Sequence, residues 1–306
     1  MKKENNIKNN KEEDLYEELL QLSIDLMTKA IPSMIYHYTS MEALFNGILC
    51  RVNDESKICL RACNALYMND PNEIQFGFSF LGKSDNSDNL KENDCNVYIE
   101  MSSHCFLTSF SSQRDYLPMW NIYARNATGI ALGFNSDIIK KHKETELLSC
   151  LYDHDILKSI LDKYDDENIK EKNTDNLTAV AIGILLFCLF LPILSEKDKK
   201  PLIDCINSTL SPIFTLAVSL KNSSYSYEQE VRLLSVADKE EDVQFYFKNN
   251  YFIPYINHYF PKEALEEIIV GTNNDMGRTI YSIKTYLKYI GFEHVKVIPS
   301  NVPYRG

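Results

Sequence analysis

Three charged residues alternate in the segment YEQEVRLL, residues 227–234. If this segment is a β-strand, Glu228, Glu230 and Arg232 point to one face and the intervening residues point to the other. One interpretation is catalytic: a carboxylate is held in a cleft and is oriented by the neighbouring arginine. The other is structural: an exposed strand face carries Glu–Arg ion pairs, each of which stabilises a protein only slightly. The segment alone leaves both interpretations open.

A second group of hydrogen-bonding side chains lies in MIYHYTSMEALFNGIL, residues 34–49. The first part predicts a short strand, and Thr39 followed by Glu42 predicts a capping box for a helix that runs to about Leu49. His37 would then lie at a strand-to-helix corner. Taken alone, such a histidine is more often a hydrogen-bonded structural residue than a catalytic one.

Hydroxyl groups and aromatic rings occupy two segments between these groups. The predicted strand CFLTSFS carries Ser109 and Ser111, whose hydroxyl groups can simply satisfy neighbouring backbone groups. The sole tryptophan, Trp120, lies close to Tyr123 in the stretch between this strand and the next, TGIALGF (128–134). These rings usually belong to a core, and they can also stack on a flat ligand.

Composition excludes several classes of function. The net charge of −11 and the isoelectric point near 5.1 argue against general nucleic-acid binding, because phosphates attract clustered Lys and Arg. Eight scattered cysteines without a CxxC pair predict free thiols in a reducing compartment. Glycine-rich phosphate loops, GxSxG and HExxH motifs are absent from the sequence, and YDHD (152–155) has no second cluster, so no metal site is predicted. The polar start, MKKENNIKNNKEED, lacks the apolar run of a secretory signal, so a cytoplasmic location is expected.

The chain is predicted to form one α+β domain with a helical insertion. Residues 1–13 have the composition of a disordered tail, and residues 14–306 form the predicted domain. The pattern becomes helical between about 151 and 222. This insertion contains the apolar run 179–194, which is shorter than the roughly 20 residues that cross a bilayer, so a buried core helix and no membrane span are expected. The alternative for this run is a membrane-associated helix.

Strand patterns resume after the insertion. They lie in YEQEVRLLSV, in VQFYFKNNYFIPYI (243–256), in LEEIIVG (265–271) and in VKVIPS (295–300). The segment DMGRTIYSIKTYLKYI (275–290) predicts a helix between the last two strands. Because strands lie on both sides of the insertion, they must meet in one sheet system.

Several short motifs occur in a fixed order along the chain: IYHYTS, LYMNDPNE, CFLTSFS, MWNIYA, GIALGF, SLKNSSYSYEQEVRLL, LEEIIVG and NVPYR. This order resembles the bacterial family of domain of unknown function 2971, over roughly Ile35 to Arg305. The positions that match the family are His37, Tyr38, Thr39, Asn69, Asp70, Pro71, Glu73, Trp120, Lys221, Glu228, Glu230, Arg232, Pro303 and Tyr304. The chain departs from the family in its longer apolar insertion and in Val231, where a tryptophan is frequent.

The layout is also similar, more distantly, to that of ADP-ribosyltransferases. Those enzymes place a histidine at the end of a first strand, hydroxyl groups on a central strand and a Glu-x-Glu motif on a third. The resemblance implies a split antiparallel or mixed sheet with flanking helices and a helical insertion. It also predicts that His37, Ser109 and Glu230 line one cleft.

This second resemblance implies that NAD is the substrate of a transferase or a glycohydrolase. Cleavage of the nicotinamide–ribose bond builds positive charge on the sugar, which Glu230 would stabilise. Glu228 would orient or deprotonate the acceptor. The resemblance also implies binding roles for the other residues. His37, at the corner with Tyr38 and Thr39, would bind the adenosine-side ribose, and Ser109 or Ser111 would support the wall of the cleft. Trp120 or Tyr123 would stack on nicotinamide, and Arg232 would bind a phosphate.

The alternative is a non-catalytic binding or sensing module that recognises a protein or a nucleotide ligand. Related scaffolds often lose activity, and a fold does not by itself imply a function. Another enzyme, such as a nuclease, also remains open. The family resemblance suggests a setting in bacterial phage defence or in a toxin system for either alternative.

Overall fold

The computed structural model describes residues 31–68, 105–142, 145–152, 218–236, 242–248, 250–272 and 275–303. Contacts divide the chain into two compact units. The first comprises Met1–Lys29, Met68–Ser103 and Leu151–Ser223, and the second comprises Ala30–Tyr67, His104–Cys150 and Ser224–Gly306. In the first unit, Leu151 and Leu220 form an isolated parallel bridge. The second unit contains all ten predicted site residues.

Eleven strands and four α-helices make up the described part of the second unit. The strands are β1 (Met34–Thr39), β2 (Leu49–Val52), β3 (Glu55–Asn64), β4 (Cys105–Ser111), β5 (Ile130–Asn135), β6 (Thr145–Ser149), β7 (Glu230–Val236), β8 (Gln244–Lys248), β9 (Tyr251–Pro261), β10 (Leu265–Val270) and β11 (Lys296–Pro299). The helices are α1 (Met41–Ala43), α2 (Leu117–Tyr123), α3 (Ser136–Ile139) and α4 (Met276–Tyr289). The predicted α+β class is confirmed.

The strands form one open, mixed sheet in the order β11-β10-β5-β1-β4-β3-β9-β8. Strand β2 pairs with β3, and β7 pairs with both β4 and β6. All these pairs are antiparallel except β10 with β11, between which α4 lies in the chain. Strand β7 pairs with β4 along its whole length, so β1 and β3 share the other edge of β4.

The two sides of the sheet carry different cores. On one side, Ile35, Phe110 and Leu132 pack in a large aliphatic cluster with Ile283 and Leu287 of α4. We name this side the aliphatic face. On the other side, which we name the tyrosine face, two tyrosines of β1 pack against α2 and its neighbours; the residues of this cluster are Tyr36, Tyr38, Met119, Trp120, Ala124, Ala127, Ala131 and Ile269.

The strand-to-helix corner differs from its prediction. Strand β1 is confirmed, but Thr39 is its last residue and does not cap the helix. Ser40 is the N-cap, and its Oγ accepts a hydrogen bond from the Ala43 N–H at 3.1 Å. Helix α1 ends at Ala43, and a π-helical segment, Leu44–Ile48, follows it. The predicted capping box is therefore wrong, because the cap lies one residue further along.

The predicted strand at 227–234 also begins later than expected. Gln229 has a φ of 43°, in the left-handed region, which interrupts an extended chain. Glu228 therefore ends the 3₁₀ turn Ser223–Glu228, and β7 begins at Glu230. The expectation that Glu228 alternates with Glu230 on one strand is wrong.

The remaining strand and helix predictions after the insertion agree with the structure. The segment 243–256 forms β8 and the first part of β9, and the helix predicted at 275–290 is α4. Most of the predicted insertion, the run 179–194 and the predicted tail lie outside the described residues. Across the described ranges, no helix is long and apolar enough to cross a membrane.

Candidate functional site

Eight of the ten predicted site residues meet on the tyrosine face. Residues that pair directly across neighbouring strands share a face, and Ser111 of β4 pairs with Tyr36 of β1 and with Glu230 of β7. The strand residues on this face are Tyr38, Ser109, Ser111, Glu230 and Arg232. Trp120 and Tyr123 reach the same side from α2, and Glu228 joins them through Tyr123.

Glu228 is tied to two neighbouring elements. The Tyr123 hydroxyl donates to Glu228 Oε1 at 2.6 Å, and Ser111 Oγ donates to the Glu228 carbonyl oxygen at 2.6 Å. Ser111 Oγ also accepts a hydrogen bond from the Gln113 N–H at 3.0 Å. Glu228 and Ser111 are buried, whereas Tyr123 is half-buried. The serine hydroxyl thus joins the 3₁₀ turn to β4, and the tyrosine is the part of this group that solvent reaches.

Glu230 and Arg232 form a buried ion pair. Arg232 Nη2 donates to Glu230 Oε2 at 2.9 Å. Arg232 is 1% exposed and Glu230 is 4% exposed. The Cys150 thiol lies 3.6 Å from the same carboxylate oxygen. The interpretation of an exposed strand face is therefore wrong for these two residues. Two charges that have lost their hydration must stay paired, because either one alone would be strongly destabilising.

His37 lies on the other side of the sheet. It is adjacent to Tyr36 in the strand and pairs with Leu132, so its ring points to the aliphatic face, where it meets Phe110 edge-on at 6.0 Å between ring centroids. Glu230 points to the tyrosine face. The expectation that His37 and Glu230 line one cleft with Ser109 is therefore wrong. Thr39, two residues after His37 and half-buried, likewise belongs to the aliphatic face.

The histidine ring closes a gap in the sheet. Strand β1 pairs with β4 only at Ser111 of β4, and β3 pairs with β4 only at Phe106 and Leu107. Between these points His37 Nδ1 lies 2.9 Å from the Ser109 carbonyl oxygen. Because a carbonyl can only accept, Nδ1 carries the proton. Burial lowers the pKa of His37, so the neutral ring is favoured.

Trp120 is a core residue. It is 1% exposed, and its ring meets Tyr38 edge-on at 5.2 Å. Its Nε1–H donates to Asp115 Oδ1 at 2.7 Å, and Asp115 also accepts a hydrogen bond from the Asn301 N–H. Trp120 therefore offers no face on which a nicotinamide could stack. Tyr38 is also buried, and its hydroxyl donates to the Gln113 carbonyl at 2.8 Å.

The sequence did not indicate one polar group on this face. Arg114 donates two hydrogen bonds to the Glu267 carboxylate, at 2.7 and 2.9 Å, and Tyr36 donates a third at 3.1 Å. Burial raises the pKa of Glu267, but its bonds to Arg114 and the charge of Arg114 outweigh burial, so the pKa is lowered. Arg114 and Glu267 lie 153 residues apart, so no local pattern could pair them.

The comparisons with known proteins bear on the family alone. Residues 119–233 match the model of the family described as Protein of unknown function (DUF2971). This range includes Trp120, Glu228, Glu230 and Arg232, so the family resemblance drawn from the sequence is confirmed over this part of the predicted span from Ile35 to Arg305. No curated protein matches the chain, and no solved structure matches it. Among the described residues, no three His, Cys, Asp or Glu side chains are grouped so that they could hold a metal ion.

Substitution of His37 tests its role at the gap in the sheet. We expect His37→Ala to lower the free energy of unfolding by about 1–3 kcal/mol, because the Ser109 carbonyl loses its donor. His37→Asn should cost less, about 1 kcal/mol, because the amide nitrogen can replace Nδ1 as a donor. Chemical denaturation measures both changes, and equal losses would contradict this role.

The same histidine should make stability depend on pH. Its folded pKa is below the unfolded value of 6.5, so its neutral form contributes fully above that value and loses this contribution as pH falls below it. The difference in unfolding free energy between wild type and His37→Asn should therefore shrink as the pH falls from about 8 to about 5. A difference that is constant over this range would show that the ring is not held neutral.

Two arginines provide a matched test of buried and exposed ion pairs. Arg232→Ala removes the buried ion pair with Glu230 and should lower the unfolding free energy by about 3–5 kcal/mol. Arg125→Ala removes an exposed pair with Glu42, at 2.7 Å, and should cost less than about 1 kcal/mol. Thermal and urea denaturation of both variants measure the contrast, which would disappear if solvent reached Glu230.

Proposed function

We propose that this chain is a non-catalytic protein-binding module whose docking surface is the aromatic hairpin of β8 and β9. One observation carries the proposal: Phe245, Phe247 and Phe252 are 61%, 64% and 71% exposed. We name these three residues the phenylalanine strip. A contiguous apolar surface of this kind on a folded protein commonly marks a site of protein interaction.

The register of the hairpin groups the three rings. Phe247 pairs directly with Phe252, with 5.4 Å between ring centroids, and Phe245 pairs with Pro254. On the opposite side of the hairpin, Tyr246 packs against Tyr255 at 5.7 Å. These two rings also contact β3, because the Tyr246 hydroxyl lies 3.6 Å from Cys63 Sγ and the Arg61 guanidinium lies 4.8 Å from the Tyr255 ring centroid. The other side presents the phenylalanine strip to solvent.

The backbone of β8 adds a second binding element. Among the described residues, β8 pairs with β9 alone and forms the end of the sheet order. An edge strand of this kind can accept an extended chain as an additional strand, with main-chain hydrogen bonds for affinity and side-chain contacts for specificity. Full burial of one phenylalanine contributes about 1.5–3 kcal/mol, so the phenylalanine strip can add substantially to such pairing.

The candidate catalytic residues favour binding over catalysis. Glu230 is engaged with Arg232 in the interior, and Glu228 is buried beneath Tyr123. His37 points to the other face of the sheet. The polar residues that suggested chemistry from the sequence join strands, turn and helix, which supports a structural role for them.

A peptide selection tests this function directly. We expect the wild-type chain to select, from a random library displayed on phage, extended peptides with apolar residues at alternate positions. Phe247→Asp should abolish their binding. The matched control is Tyr281→Asp on α4, which changes another exposed aromatic residue, 73% exposed, and should leave binding intact.

Both variants should fold as the wild type does, because exposed substitutions usually change stability by less than about 0.5 kcal/mol. Thermal unfolding checks this requirement. The proposal fails if no peptide is selected, or if the selected peptides bind Phe247→Asp as tightly as they bind the wild type.

An NAD-utilising enzyme, either an ADP-ribosyltransferase or an NAD glycohydrolase, is the second candidate function, and one contact favours it. The half-buried Tyr123 holds its hydroxyl 2.6 Å from Glu228 Oε1, and the half-buried Ser109 lies on the same face. A carboxylate beside an aromatic ring could stabilise positive charge on a ribose while the ring contacts nicotinamide. This version assigns the main catalytic role to Glu228 and not to Glu230.

Nicotinamide release from NAD tests this candidate. Glu228→Gln should slow release by about 10²–10⁴-fold if the carboxylate takes part in the reaction. Tyr123→Phe keeps the ring but removes the hydroxyl group, and it should slow release less. Glu230→Gln is a poor test, because it also breaks the buried pair with Arg232. If the wild type releases no nicotinamide, with or without added bacterial lysate, this candidate is rejected.

A further inference from the structure

We infer that the partner bound by the phenylalanine strip is a second copy of this chain, joined edge to edge through β8 about a twofold axis. This inference rests on the proposed function, because it uses the same strand and the same rings. It adds the identity of the partner and the register of the pairing.

The first argument comes from the backbone of the hairpin. Lys248 pairs with Tyr251, so two residues connect the strands, and Asn250 has the positive φ, 66°, that such tight turns favour. The residues that flank a two-residue turn exchange hydrogen bonds, and hydrogen-bonded and non-bonded pairs then alternate. Phe245 and Phe247 therefore direct their N–H and C=O groups away from β9, toward the open edge.

These outward groups select one register. In an antiparallel pair of β8 strands centred on Tyr246, Phe245 lies opposite Phe247 of the second copy. The outward N–H and C=O groups of each of these residues can then form hydrogen bonds with those of the other. Centring the pair on Phe245 or on Phe247 would leave one of them opposite a residue outside β8. The twofold axis therefore passes beside Tyr246.

The same register completes the aromatic surface. Within one copy, Phe252 lies beside Phe247, and Phe245 lies beside Pro254. Pairing centred on Tyr246 would join these two pairs of side chains into continuous rows that cross the interface. Each row would consist of Phe252 and Phe247 of one copy and then Phe245 and Pro254 of the other. Directly opposed aromatic pairs stabilise antiparallel strands.

The charges along β8 are compatible with this pairing. Lys248 faces Gln244 of the second copy, so no like charges are opposed, and the acidic end of the segment at Asp242 approaches Lys248. Each whole copy carries a net charge of −11, which opposes association over longer distances. Salt screens that repulsion within about 10 Å at 0.1 M, so added salt should strengthen the dimer.

The size of the surface predicts a weak dimer. At about 200 Å² for each phenylalanine, the exposed parts of the phenylalanine strip amount to roughly 400 Å² per copy, and edge-to-edge pairing covers only the flanks of these rings. A typical stable interface buries about 800 Å² per partner. Association should therefore depend on concentration within the micromolar range, with the backbone pairing contributing the rest.

Sedimentation velocity of the full chain tests the inference. The wild type should shift from monomer toward dimer as its concentration rises, and more so at higher salt. Phe247→Asp, and Phe247→Pro, which removes one outward N–H, should each raise the dissociation constant by about tenfold or more. Proline is tolerated on an edge strand at such a position, so the hairpin should still fold. Tyr281→Asp should dimerise as the wild type does.

Disulfide cross-linking tests the register. Tyr246→Cys should form a covalent dimer on oxidation, because its counterpart across the axis is the same residue, whereas Gln244→Cys faces Lys248 and should not. Both substitutions are made with Cys63→Ser, since Cys63 Sγ lies 3.6 Å from the Tyr246 hydroxyl. The chain with Cys63→Ser alone is the control. Equal cross-linking from both positions would overturn the register.

The outcomes separate this inference from the proposed function. A wild type that stays monomeric at high concentration yet binds selected peptides overturns the second copy as partner and leaves the protein-binding function standing. A monomer that binds no peptide overturns both. A dimer that Phe247→Asp does not weaken overturns this inference, because its contacts lie elsewhere.

Discussion

Strand β4 is paired on both edges, and its register decides which side chains meet. Ser111 lies between Tyr36 and Glu230, so these three residues share the tyrosine face. Because side chains alternate along a strand, a shift of one residue in either pairing would move every one of them to the opposite face. The positions of α2 against β1, and of the 3₁₀ turn against β4, follow from this register. His37 stabilises the point at which β1 and β3 separate along the shared edge.

Buried charge explains why so many reactive residue types occupy the tyrosine face of the described part of the chain. An ionised group removed from water must have a partner, and Glu230 has Arg232 while Glu267 has Arg114. The first pair lies within β7, and the second joins elements that are distant in sequence. Residue chemistry alone therefore does not decide for catalysis, since the same carboxylates and arginines that could act on a substrate also connect the parts of a fold.

The hairpin of β8 and β9 shows the opposite arrangement. Tyr246 and Tyr255 on one side of it contact β3, but Phe245, Phe247 and Phe252 on the other side remain in solvent, where their apolar surface gains nothing from burial within the chain. Folding therefore leaves a favourable free energy that only association can recover. This contrast between paired buried charges and an exposed apolar surface supports the binding function proposed above.

Local patterns in the sequence determined the strands, helix α4 and the membership of much of the candidate site. Alternation predicted β5, β8 and β10, and the polar and aromatic residues singled out from the sequence did converge, from Tyr38 through Ser111 to Arg232, on one face. These features depend on neighbours in the chain, which a sequence displays directly.

Only the tertiary structure decided which face of the sheet each residue occupies and which side chains are exposed to solvent. His37 points away from Glu230 because its orientation depends on pairing with β4, more than 70 residues along the chain. Gln229 interrupts the predicted strand through one left-handed residue, and no local pattern marked that conformation. Arg232 is buried and the phenylalanine strip is exposed because burial depends on partners that fold against a segment, and alternation within the segment is the same in either case.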